Sequence, residues 1–132
     1  MQQYRVNYRL LIGLFIGFVI TSTAVYWLHH FQINRNAKAL LDEAAKAEEG
    51  GRHKDEADAY SNYLSIRPDD NEVRVKYANA WGDVTEDVNV SPEDFGKGLQ
   101  AMEETVRTLP DEKALQKRLV DMYIKVQRYQ DA

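Results

Sequence analysis

The chain has 132 residues and no cysteine, which excludes disulfides, thiolate zinc sites and cysteine nucleophiles. Its charge is unevenly divided: residues 1–38 carry four basic residues and no acidic one, whereas residues 39–132 carry 13 basic and all 21 acidic residues, a net charge of −8. A domain this acidic argues against nucleic acid as its partner, and the length leaves room for one small domain.

The first element in chain order is a hydrophobic segment at residues 10–28. Its nineteen residues include no charge, and at about 1.5 Å per residue a helix of this length nearly spans the ~30 Å hydrocarbon core of a bilayer. Tyr26 and Trp27 lie near its end, where aromatic rings favour the membrane interface. We therefore predict a short basic tail at residues 1–9, a transmembrane helix at 10–28 and a juxtamembrane linker at 29–36.

The same segment has two alternative interpretations. A buried helix of a globular protein needs more surrounding chain than about a hundred residues can supply. A cleaved signal peptide would use the small residues Ser22, Thr23 and Ala24 as its cleavage site, but the apolar run continues to Leu28, which favours a retained anchor. The basic residues before the helix lie closer to it than those after it. We therefore expect a cytoplasmic N-terminus, with the rest of the chain in a periplasmic or other extracytoplasmic space.

Small residues recur at every fourth position of the predicted membrane helix, at Gly13, Gly17 and Thr21. They share one face, which allows close contact with another helix. We take these three residues as candidates for membrane-helix packing and for a homo-oligomer. Small residues that face lipid are the simpler interpretation, because this motif often occurs by chance in apolar segments.

Beyond residue 36 the sequence is periodic. Positions of matching character are 34 residues apart, the length of a helix–turn–helix unit: Ala44 and Ala78, and Ala47 and Trp81. The next interval is 42 residues, as between Ala78 and Val120, Trp81 and Tyr123, Tyr60 and Met102, and Pro68 and Pro110. A single insertion of eight residues explains the difference, and we expect it as a polar loop between Val84 and Ser91.

The local pattern in this region predicts paired helices. Gly50 and Gly51 end the first helix, and residues 54–66 form an antiparallel partner that Pro68 stops. A serine cap, a proline and two acidic residues, from Ser91 onward, predict the start of a later helix. The residues expected in the core of the first hairpin are Leu40, Leu41, Ala44, Ala45, Ala57, Tyr60, Tyr63 and Leu64.

These repeats resemble the tetratricopeptide repeat (TPR) family, in its bacterial membrane-anchored form. The first-helix signature of the family is matched by Tyr77-Ala78-x-x-Trp81 and Leu119-Val120-x-x-Tyr123, and its second-helix ending by AYSNYLSIRPDD. The resemblance implies an all-α fold of antiparallel helix–turn–helix units stacked into an α-solenoid, with repeats at 37–70, 71–112 and an incomplete 113–132. The chain departs from the family pattern at Glu43, Glu56 and Val120.

The resemblance implies a non-enzymatic scaffold that binds a partner protein or peptide on the concave face of the stacked helices. Residues at the groove-facing positions of the family are Lys76, Asn79, Asp83, Lys117, Asp121 and Lys125. Polar residues on any amphipathic helix look the same, so these six are candidates. The sequence contains no catalytic motif, metal-ligand set or phosphate loop, so we expect no enzymatic activity, metal or cofactor.

An alternative function is the membrane anchor and assembly region of a longer enzyme or secretion component whose active part lies elsewhere. In either case we expect an N-terminal portion of a longer array, because the sequence stops at Ala132, just after Tyr129 begins what looks like a further helix. The apolar face expected to remain partly uncovered is formed by Leu119, Met122, Tyr123 and Val126.

Overall fold

The computed structural model describes the backbone of residues 7–130 and the side chains of residues 7–127, and within that range every regular element is an α-helix. The all-α prediction is therefore confirmed. Most of the predicted basic tail, and Ala132, lie outside the described residues. The chain divides into two compact units, Met1–Asn36 and Ala37–Ala132. The helices are α1 (Tyr8–Glu49), α2 (His53–Ile66), α3 (Asn71–Glu86), α4 (Pro92–Thr108) and α5 (Lys113–Gln130).

The described part of the first unit is mainly the apolar portion of α1. This helix contains an 18-residue window of mean hydropathy 2.0, none of it buried, so it is long and apolar enough to cross a membrane. The hydroxyls of Thr21 and Thr23 each donate a 2.8 Å hydrogen bond to a carbonyl oxygen one turn earlier in the same helix. Both hydroxyls are thus paired without water, as an apolar environment requires. Residues 29–36, which we predicted as a linker, are helical within α1.

Capping residues set the ends of helices in the second unit. Gly51 has a left-handed backbone with φ of 64°, directly after α1 ends. Asp70 caps α3 by accepting a 3.1 Å hydrogen bond from the backbone N–H of Val73, and Ser91 caps α4 by accepting a 3.0 Å bond from the N–H of Asp94. The helix start that we predicted at Ser91 is therefore confirmed.

The predicted insertion is only partly a loop. Helix α3 continues to Glu86, so the prediction of a polar loop from Val84 is wrong for its first residues. Thr85 is buried, and its hydroxyl donates a 2.7 Å hydrogen bond to the carbonyl oxygen of Gly82. Because a threonine hydroxyl can be satisfied within its own helix, its polarity does not exclude a buried position.

Helices α2, α3 and α4 form the core together with the part of α1 that follows residue 36. Helix α3 packs against both α2 and α4, and the short connections between these packed helices make each pair antiparallel. Trp81 is only 4% exposed and is part of this core. The buried residues of this cluster are Ala37, Ala44, Ala57, Ala59, Tyr60, Tyr63, Val73, Ala80, Trp81 and Ala101.

The core-facing stripe of α1 differs from the predicted one. Ala45, which we expected in the core, is exposed, whereas Ala47 is buried. The buried residues Ala37, Ala44 and Ala47 follow helical spacing and form a narrow stripe, with Leu40 and Leu41 partly buried beside it. Alanine at these positions lets α1 approach its neighbours closely.

Helix α5 packs on α3 and α4 with Leu115 and Met122 buried. Of the face expected to remain partly uncovered, Tyr123 is exposed and Leu119 and Val126 are partly buried, whereas the expectation is wrong for Met122, which is buried. The large apolar side chains of α5 that are exposed are Val120, Tyr123 and Ile124, at positions whose counterparts 42 residues earlier in α3 are buried. The backbone of residues 129–130 continues α5 and does not begin a new helix.

Candidate partner-binding surfaces

Arg118 joins α5 to α3. Its guanidinium donates hydrogen bonds to the carbonyl oxygen and the side-chain oxygen of Asn79, at 3.2 and 3.3 Å. It also donates to the carboxylates of Asp83, at 2.5 Å, and Glu86, at 2.8 Å. The planar fork of donors on an arginine makes this multiple contact possible, whereas a lysine ammonium would lack the geometry. We call the polar area around this contact the α3–α5 surface, formed by the partly buried Asn79, Asp83 and Arg118 and the exposed Glu86, Asp121 and Lys125.

Gly82 makes room for that guanidinium. A Cβ atom at Gly82 would lie 2.5 Å from Cζ and 2.6 Å from Nε of Arg118, closer than non-bonded atoms approach. A glycine inside a helix costs about 1 kcal/mol relative to alanine, so its presence signals close approach by a neighbour. Sequence reasoning missed Arg118, and Gly82 was the feature that could have pointed to a partner at this position.

A buried carboxyl group lies beside this surface, at the start of α2. The His53 Nδ1 atom lies 3.3 Å from the carboxylate of Glu56 and 3.8 Å from that of Asp83. Burial raises the pKa of Glu56, and the hydrogen bond to His53 partly offsets this effect. Glu56 stands where the TPR pattern expects a small residue, and the imidazole supplies the polar partner that a buried carboxyl group needs.

The six predicted partner-binding residues lie on two helices, α3 and α5. Asn79 and Asp83 accept hydrogen bonds from Arg118, so both belong to the contact between α3 and α5. The ammonium of Lys76 pairs with Glu72 of its own helix at 3.1 Å. The three α5 residues are exposed: Lys117, Asp121 and Lys125. By helical spacing Asp121 and Lys125 share a face with Arg118.

A concave feature that the sequence did not reveal lies between α2 and α4. The ammonium of Lys54 lies 2.8 and 2.9 Å from the two carboxylate oxygens of Asp94. Both residues are in the first turn of their helix, so α2 and α4 begin at the same end. We call the space of about 250 Å³ between them the α2–α4 groove, lined by Asp58, Ser61, Tyr77, Trp81, Lys97, Gln100, Ala101 and Glu104.

In the first unit, the predicted packing face of α1 is open. No atom lies within 4 Å of the position that a Cβ would occupy at Gly13 or Gly17. The hydroxyl of Thr21 donates to the carbonyl oxygen of Gly17. This face therefore has space for another helix, or for lipid.

Among residues 7–130, no group of three or more histidine or acidic side chains is placed to hold a metal ion. Comparisons with protein-family models, with curated proteins and with solved structures find no match for this chain.

Proposed function

We propose that this chain is a membrane-anchored scaffold for protein–protein interaction, in which a TPR-like array in residues 37–132 binds a partner segment. The observation that carries the proposal is a burial pattern that follows the sequence period. Equivalent positions of the first two repeats are buried alike, which supports a repeated helix–turn–helix unit. These pairs are Ala44 and Ala78, Ala47 and Trp81, and Tyr60 and Met102.

The anchor in this proposal is residues 10–28. Their large apolar side chains are exposed, which in water would cost about 25 cal/mol for each Å² left unburied. Insertion in a bilayer removes that cost, and the paired threonine hydroxyls of this segment favour the same environment. The proposed orientation places the N-terminus in the cytoplasm and the helical repeats outside.

The proposed partner-binding area is the α3–α5 surface. Arg118 already holds the side chains of Asn79 and Asp83 in fixed positions, so these groups lose little further freedom when a partner binds. The exposed side chains of Asp121 and Lys125 lie on the same face of α5 and add one charge of each sign. A polar, mixed-charge surface of this kind suits an extended or helical peptide segment.

Site-specific photo-crosslinking in cells would test this proposal. A photoreactive residue placed at Asp121 or Lys125 of the full-length chain should give a discrete crosslinked product from the membrane fraction. The same probe at Arg107, which is exposed on α4, serves as the matched control and should not give that product. The crosslinked protein is then purified and its affinity measured for the full chain in lipid nanodiscs.

In that binding measurement, Lys125→Glu should weaken the affinity by about tenfold, as expected for the loss of an interface charge contact of roughly 1.5 kcal/mol. Arg107→Glu should leave it unchanged. The scaffold function is contradicted if products from positions 121 and 107 are the same, or if the two charge reversals weaken binding equally.

A further inference from the structure

The α2–α4 groove contains a buried polar group without a hydrogen bond. Trp81 forms part of the groove floor and is 4% exposed, and its Nε1 atom has no hydrogen-bond partner among the described residues. Burial raises the pKa of the neighbouring Tyr77 hydroxyl and the Trp81 side chain partly offsets this rise, but the two groups do not meet hydrogen-bonding geometry. A buried N–H without a hydrogen bond destabilises the fold, and a ligand that supplies an acceptor would remove this cost.

The rim of the groove carries excess negative charge. Asp58 on α2 and Glu104 on α4 both line it. Lys97, the basic residue among the lining side chains, is paired with Glu93 at 2.7 Å, so its charge is already compensated. Glu104 lies 3.7 Å from the guanidinium of Arg74, a loose ion pair. Asp58 is near enough to Lys97 for their charges to interact, but it forms no ion pair within 4 Å among residues 7–127. The groove therefore favours a cationic occupant.

The size of the groove limits that occupant. At about 250 Å³, it is smaller than the roughly 300–1,000 Å³ typical of sites for drug-sized ligands and cofactors. A space of this size suits one long side chain and part of its backbone. A guanidinium fits the chemistry, because it binds carboxylates through paired hydrogen bonds and stacks on aromatic rings such as that of Tyr77.

We propose that the α2–α4 groove binds an arginine residue within a peptide segment of a partner protein. The guanidinium reaches the carboxylates of Asp58 and Glu104, and a main-chain carbonyl oxygen of the segment accepts from the indole N–H of Trp81. This inference rests on the proposed scaffold function, since it names the chemistry of a partner. It adds a binding position separate from the α3–α5 surface.

The two tryptophans of the chain provide a direct test. In a proton–nitrogen NMR spectrum of the full chain in nanodiscs, each indole N–H gives its own signal. Adding the peptide acetyl-Ala-Arg-Ala-amide should shift the Trp81 signal in a saturable manner and leave the Trp27 signal in place. The matched peptide with citrulline, which keeps the shape and loses the charge, should bind at least about tenfold more weakly.

Protein variants complete the test. The double variant Asp58→Asn with Glu104→Gln should lose most of the affinity for the arginine peptide. It should still fold, because both side chains are exposed. Glu112→Gln, an exposed acidic residue away from the groove lining, is the control and should bind like the original chain. Equal binding of the citrulline peptide, a Trp81 shift of equal size with a glutamate peptide, or full binding by the double variant would overturn the proposal.

The outcomes also separate this inference from the proposed scaffold function. If the arginine peptide fails while crosslinking from positions 121 and 125 still captures a partner, the groove proposal fails and the scaffold function stands. If the arginine peptide binds as described but crosslinking yields no specific product, the groove binds arginine and the α3–α5 surface is not the partner site.

Discussion

At the scale of single residues, Trp81 should contribute most to the stability of the second unit. It is buried at the contact of α3 with its neighbours, and truncating a large core aromatic costs about 3–5 kcal/mol. We expect Trp81→Ala to lower the free energy of unfolding by this amount, measured by circular dichroism during denaturation of the full chain in detergent. The matched control is Trp27→Ala, since Trp27 is 71% exposed. Equal effects of the two substitutions would contradict the assigned burial.

Two glycines of α4 should respond in opposite directions to the same substitution. A Cβ at Gly98 would lie 3.1 Å from the carbonyl oxygen of Trp81 and still closer to the Thr85 methyl group, so Gly98→Ala should destabilise by about 1–3 kcal/mol through overpacking. No atom lies within 4 Å at Gly96, so Gly96→Ala should stabilise by up to about 1 kcal/mol through helix propensity. Thermal unfolding of both variants shows whether each substitution raises or lowers the stability. If Gly98→Ala raised it, the close contact of α3 with α4 would be disproved.

Asp70 should make the free energy of unfolding depend on pH. Its carboxylate accepts hydrogen bonds from the Tyr63 hydroxyl, at 2.7 Å, and from the N–H of Val73, which together lower its pKa below the ordinary value. Because the pKa of Asp70 is lower in the folded state, its ionised carboxylate stabilises the fold. This stabilisation is fully present above the unfolded pKa of about 3.9 and is lost as pH falls through the folded pKa.

Asp70→Asn keeps a capping side chain but removes the charge. Hydrogen bonds to a charged acceptor contribute more than those to a neutral amide, so the variant should be less stable than the original chain by about 1 kcal/mol at pH 7. The difference should shrink as pH falls below the unfolded pKa of about 3.9 and vanish below the folded pKa. Denaturant titrations at several pH values measure this difference. A difference that is constant between pH 7 and pH 3 would show that the carboxylate is not the stabilising group.

At the scale of helices, the sequence predicted elements better than it predicted contacts between them. The caps at Asp70 and Ser91 and the break at Gly51 are local signals, so the helix ends they set could be predicted. Arg118 could not, because its partners are 32 to 39 residues away and nothing in the local pattern separates it from an ordinary exposed arginine. The α2–α4 groove was missed for the same reason, since three helices contribute its lining.

The docking of α5 should depend on Arg118. Arg118→Gln removes hydrogen bonds to the carboxylates of Asp83 and Glu86, a loss of about 2 kcal/mol. Amide hydrogen exchange in residues 113–127 should then accelerate by about thirtyfold, while α2 to α4 keep their protection. Lys117→Gln, one position earlier and exposed, is the control. Unchanged exchange in the Arg118 variant would mean that burial of Leu115 and Met122 holds α5 without the guanidinium.

At the scale of the whole molecule, composition and periodicity predicted an all-helical chain with one helix able to span a bilayer. The positions 34 residues apart that the period pairs, Ala44 with Ala78 and Ala47 with Trp81, are all buried. Val120 and Tyr123 are exposed although their counterparts in α3 are buried, and for Tyr123 this agrees with the partly uncovered face expected on α5. A period describes a position within its repeat, whereas burial also requires that a neighbouring helix covers that position.

The membrane proposal makes a prediction that uses one tryptophan in each unit. Single-tryptophan chains, made by Trp81→Phe or Trp27→Phe, are reconstituted in vesicles whose acyl chains carry bromine, a contact quencher of indole fluorescence. Trp27 lies near the end of the apolar segment and is 71% exposed, so its ring should sit at the lipid interface and be strongly quenched. Trp81 is enclosed by protein, so its emission in brominated vesicles should equal its emission in unbrominated vesicles.

Intact mass measurement of the chain from cell membranes provides the complementary check, because a retained anchor keeps residues 10–28. If the Trp27 emission is unaffected by bromine, or if the membrane-derived chain begins at Val25, this helix is not a retained transmembrane anchor.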